Sequence, residues 1–163
     1  MERLIDRYER KLIEQRLADP GDPLLGELET DIAWNRDCPE RPVLEKVFRG
    51  LNINSLLFSR PAEPYRTIVD YLASRGEAAI TPKDNETRTF LHSIPVDEEF
   101  TAPAIVGQLK HRKSVIIRGR GIATYGTVSP EQPFVLFSSV LFSCFVKFFS
   151  DYLADGIKGR RTP

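Results

Sequence analysis

The stretch LKHRKSVIIRGRGIATYGTVSPEQPF, residues 109–134, decides how the chain folds. Its β-branched run Ser114-Val115-Ile116-Ile117-Arg118 fits a pleated, buried surface and predicts a strand. Gly119-Arg120-Gly121 breaks that run, and residues 122–126 resume extended backbone. Ser129-Pro130-Glu131-Gln132 then carries a capping pattern, Ser129 with Gln132 three residues later, and opens a long apolar helix to about residue 153. Before the strand, Lys110, His111, Arg112 and Lys113 sit where the negative end of a helix favours cations.

Working outward, Leu4, Ile5, Tyr8, Leu12, Ile13 and Leu17 recur at spacings of three and four, which predicts an amphipathic helix over residues 2–18. Residues 24–42 are acidic and loosely patterned, with Trp34 as their anchor. A short helix is expected over 43–50, a strand over 53–58, a helix from Pro61 to Ser74, and a short strand over 77–81. Residues 82–85 read as a turn, 89–92 as a strand that includes His92, and 102–109 as a helix. Residues 156–163 read as a frayed basic tail. Strands interleaved with helices indicate a layered α/β/α domain occupying the whole of 1–163.

Charge and cysteine usage narrow the function classes. The chain has 23 basic and 23 acidic residues, so its mean charge points to no partner. Residues 1–40 hold eleven acids against six bases, whereas residues 100–130 hold five bases and no acid, a local field that attracts anions. No aromatic platform is interleaved with the basic cluster at 110–113, so nucleic acid is not the expected partner. Cys38 and Cys144 have no metal-type spacing, and Cys144 lies in an apolar run where a reduced thiol behaves as a small hydrophobe; a cytoplasmic location is expected. The charged start MERLIDRYERK is no signal peptide. Residues 133–149 are strongly apolar but interrupted by Lys147 and three serines, which favours a buried helix over a membrane span. Its phenylalanines leave almost no polar stripe, so a second subunit is expected to cover part of it, making a homo-oligomer.

Three segments, in order, resemble the class II aldolase/adducin head family: Pro61-Ala62-Glu63 opening a helix, Ala78-Ala79-Ile80-Thr81-Pro82-Lys83, and the stretch from 109 to 153. The resemblance covers about residues 53–153 and implies the family's α/β/α fold. It implies that Glu63 stands where the family has its catalytic acid/base. Thr81 and Lys83 stand at the family's His-x-His positions, and Arg120 stands at its third zinc-binding histidine. The family's N-terminal glycine-asparagine phosphate loop is not recognisable over 20–50.

Neither a protonated lysine nor an arginine can donate a lone pair to zinc, and the two histidines, His92 and His111, are nineteen residues apart, so no metal and no cofactor is expected. Positive charge remains where the family carries its dication. Lys83, Arg118, Arg120 and Thr81 are the candidate ligand-binding residues for a small phosphate or carboxylate, because guanidinium groups grip such anions in bidentate fashion. An alternative is a metal-independent lyase or isomerase acting on a phosphorylated or carboxylated small molecule with Glu63 as acid/base. The plainer reading of Glu63 is a first-turn carboxylate facing the helix dipole.

Overall fold

In the computed structural model, which describes residues 1–161 and the side chains of 1–158, seven strands form one mixed sheet between two layers of helices. In chain order the elements are α1 (Leu4–Glu14), β1 (Leu24–Leu28), β2 (Ile32–Trp34), α2 (Arg41–Arg49), β3 (Ser55–Ser59), α3 (Tyr65–Ala73) and β4 (Ala79–Ile80). They continue with α4 (Asn85–Leu91), β5 (Ile94–Asp97), α5 (Ala102–Leu109), β6 (Ser114–Ile117), β7 (Gly121–Gly126) and α6 (Glu131–Arg161). The strand order is β2-β1-β3-β7-β6-β5-β4. Only β5 and β6 run parallel; every other neighbouring pair is antiparallel.

Alternation along the strands divides the core in two. Val115 and Ile117 point with Leu56, Phe58 and Ala123 into the layer of α2 and α5, around Val47 and Ile105. Ile116, Ile122 and Leu57 point the other way, against α1, α3 and α6, where Phe137, Val140, Leu141 and Cys144 meet them. The strand SVII is buried throughout because both faces of the sheet are covered.

The long helix has a different start from the expected capping box. The Gln132 Oε1 accepts from the Thr127 and Val128 amides, both at 2.7 Å, while the Ser129 hydroxyl accepts only the Glu131 amide at 3.3 Å. The buried Thr124 hydroxyl donates to the Pro133 carbonyl at 2.8 Å and fastens this start to β7. α6 is long and apolar enough to cross a membrane, the one such helix among the described residues. One face of it is core, whereas Phe142, Phe145, Phe149 and Tyr152 on the other are exposed.

Several expectations are corrected. Residues 24–42 contain the β1–β2 hairpin, whose Gly26 faces the Trp34 ring so closely that a Cβ there would come within 2.8 Å of it. Residues 89–92 are not a strand. They end α4, because Asp84 caps that helix by accepting the Thr87 amide at 2.9 Å, and the strand follows at β5 instead. α3 begins at Tyr65, four residues later than expected. The tail from 156 continues α6 as helix to Arg161, and residues 162–163 lie outside the described residues.

Candidate functional site

The turn after β6 is the centre of the site. The Arg120 amide donates to the Ile117 carbonyl at 2.9 Å, closing the turn, and Gly119 occupies its left-handed position with φ +70°. Gly121 then lets β7 pass over Phe58, since a Cβ there would come within 2.8 Å of that ring and 2.9 Å of the Ser59 carbonyl. Arg120 leaves this turn exposed, its guanidinium 4.5 Å from the centre of the Phe100 ring, which itself rests on Phe58.

On one side the turn borders a cleft of about 200 Å³ between the α1–β1 loop, the loop before α2 and the end of β3. Arg36, Arg60 and Arg120 line it, together with Asp22, Cys38 and Glu40. The loop residues are held by side-chain bonds to main chain. Asp22 accepts the Arg60 amide at 2.7 Å and the Ser59 hydroxyl at 3.0 Å. Arg36 donates to the Pro23 carbonyl at 2.9 Å and also to the carbonyl of Asp22. None of the three arginines has a carboxylate within ion-pair distance among the described residues, whereas Arg66, at the start of α3, is paired with Asp19 at 2.5 Å. Behind the turn, Arg66, Asp70 and Arg120 border a void of only about 10 Å³, room for no more than a water.

The other expected site residues are placed elsewhere. Antiparallel pairing sets Ile80, at the end of β4, opposite Ile94 at the start of β5, while parallel pairing sets Asp97, at the end of β5, opposite Ile117. Thr81 and Lys83 therefore leave the sheet at one end of β5 and Arg120 lies beyond the other, three residues or about 10 Å of strand apart before the turns are counted. Lys83 does not converge with Arg120. It is paired with Asp151 on α6, which Arg75 also reaches at 3.1 Å. The Lys83 hydrogen bond is the main reason the Asp151 carboxyl lies below its ordinary range, with Arg75 assisting. Arg118 turns to Glu98 at 3.1 Å and does not line the cleft. Glu63 is exposed and accepts the Thr67 hydroxyl at 2.7 Å and its amide at 3.3 Å, the geometry of a carboxylate capping the first turn of α3.

Sequence reasoning did not single out Arg36 and Arg60, which line the cleft. Their only signal was that each lies in a loop beside a strand, with no periodicity to mark it. The zinc of the family that the sequence resembles does not fit these residues. Threonine, lysine and arginine occupy the three positions, the first two are at the far end of β5 from the third, and no group of three or more His, Cys, Asp or Glu that could hold a metal ion occurs among the described residues.

No family model matches the chain, and no curated protein matches it by sequence. Solved structures do. An L-fuculose-1-phosphate aldolase from Thermus thermophilus superposes with a TM-score of 0.76 at 14% identity, over 93% of this chain and 94% of that one. An L-fuculose 1-phosphate aldolase from Glaciozyma antarctica PI12 gives 0.71 at 12% identity, over 92% and 74%. An aldolase II superfamily protein from Pseudomonas syringae gives 0.65 at 10%, over 90% and 73%. The chain has the class II aldolase fold.

Proposed function

We propose that this chain uses the class II aldolase fold to hold a small anion, phosphate or carboxylate, in the arginine cleft, without the zinc that the fold's resemblance to the aldolases implies. The observation that carries the reading is the set Arg36, Arg60 and Arg120, three arginines that line one cleft and have no carboxylate within ion-pair distance among the described residues. Unpaired cations brought together repel, and a bound anion relieves that repulsion while accepting charge-assisted hydrogen bonds from planar forks that match its oxygens. Asp22 and Glu40 also line the cleft, so its charge is mixed, which favours a compact anion over an extended polyanion. That two of the similar structures are aldolases of a sugar phosphate agrees with a phosphorylated small molecule as occupant. Glu63 lines no part of the cleft and accepts from Thr67, so the proposed anion site does not include it. Lys83, engaged by Asp151, is not part of the proposed site.

The test is thermal stability against inorganic phosphate and simple sugar phosphates. A ligand that binds the native state raises the melting temperature by mass action, so phosphate should stabilise the parent, with the gain shrinking as salt rises. Arg120→Ala should remove the gain. Arg112→Ala should keep it, since Arg112 is bonded to Ser93 and lines no part of the cleft. Equal responses from both variants would place any anion site elsewhere and sink the reading.

A further inference from the structure

A groove of about 420 Å³ opens at the end of the sheet away from the arginine cleft. The register sets it there. Ser114, which follows Lys113, pairs with Thr124 near the close of β7, whereas Ile117, three residues before Arg120, pairs with Gly121 at its start. The wall is mainly apolar: Phe90 on α4, Tyr125 on β7, and Val135 and Leu136 on α6. Val135 is 47% exposed although it belongs to the first turns of its helix. One side is fixed, because the Gln132 Oε1 that lines the groove accepts the Thr127 and Val128 amides at 2.7 Å. An apolar concavity of this size, formed before any ligand arrives and bearing a few polar groups, is the shape of a small-molecule site.

Two donors line this groove without partners. Lys113 is exposed and enters no ion pair or hydrogen bond among the described residues, and the Tyr125 hydroxyl makes no hydrogen bond among them. Lys110 and Arg112, on the same turn between α5 and β6, also have no carboxylate within ion-pair distance among the described residues. Against these three cations the groove sets one acid, Glu131, so the field at its Lys113 end is positive. We propose that the groove is a second binding site, which takes a small monocarboxylate whose alkyl or aryl body lies on Phe90, Tyr125, Val135 and Leu136 and whose carboxylate meets Lys113 and Tyr125. The body removes apolar wall from water, and the head accepts from both donors. Glu131 repels a second negative charge, which sets this ligand apart from a phosphate dianion. The inference is independent of the arginine cleft, since no residue lines both.

Titration of the full chain with butanoate, hexanoate and octanoate, followed by amide chemical shifts, tests it. Gly126, Thr127 and Val135 should shift saturably, with affinity rising about four-fold for each methylene added, the scale of burying that group. Lys113→Ala should weaken octanoate about three-fold, as for a solvent-screened ion pair. Val135→Trp should fill the groove and abolish the shifts; the half-exposed position leaves the ring room outside the core, which circular dichroism checks. Phe142→Ser, on the exposed part of α6 beyond the groove, should change nothing. An affinity that does not grow with chain length overturns the inference. So do shifts centred on Phe142 and Phe145 in place of Gly126, displacement of octanoate by an equal concentration of inorganic phosphate, or undiminished binding in a folded Val135→Trp variant.

Discussion

At the scale of single residues, the proposed anion site rests on which arginines lack a carboxylate partner. Arg66 and Arg118 have a carboxylate opposite, whereas Arg36, Arg60 and Arg120 have none among the described residues, and the sequence does not show which arginine will find one. The family resemblance sets Lys83 beside Arg120 because it carries residue positions but not strand register; one antiparallel pairing puts them at opposite ends of β5. Two residue-level outcomes follow. Gly26→Ala forces a methyl group to within 2.8 Å of the Trp34 ring and should cost about 1–3 kcal/mol in urea unfolding, with the denaturant slope unchanged. The thiols should behave oppositely towards iodoacetamide near neutral pH. Burial pushes the Cys144 thiol up to about 12 and closes it from solvent, so only Cys38, half-buried at the cleft, should be labelled until the protein unfolds. Labelling of Cys144 in the native protein would contradict the packing around it.

At the scale of elements, α1, α2, α5, β6, β7 and α6 are legible in the sequence because each has a period or a break that local chemistry enforces. The β1–β2 hairpin is not, since LLGEL and IAW are too short to show alternation, and their register depends on Trp34 filling the space over Gly26. Thr89 and Phe90 have high strand propensity, which is why the sequence predicts a strand where α4 ends. The Asp84 cap and the packing of Leu91 into the core decide otherwise. Asp84→Ala should therefore destabilise the fold by about 1 kcal/mol, the usual loss of an N-cap. Asp151 ties α6 to Lys83 and Arg75, and its effect should depend on pH. Its folded value is depressed, so its contribution is whole above about pH 3.9, the unfolded value, and disappears as pH falls through the lower folded one. Asp151→Asn should lower stability by about 1 kcal/mol or less at pH 7, as for other solvent-screened pairs. The parent and the variant should converge in acid; a gap that persists there would mean that the contact is not ionic.

At the scale of the whole molecule, the proposal of an anion site without zinc makes a prediction that does not depend on the cleft. Purified protein should carry no stoichiometric zinc by elemental analysis, and chelators should leave its melting temperature unchanged. One tightly held zinc per chain would mean that donors outside the three expected positions had taken over. The sheet has a further consequence. It ends in β2, three residues long, and β4, two residues long, so each border offers only a few free amides and carbonyls to a passing strand. Borders that short are poor templates for strand addition from another chain. The native molecule is thereby guarded at both ends of its sheet against strand addition by another chain.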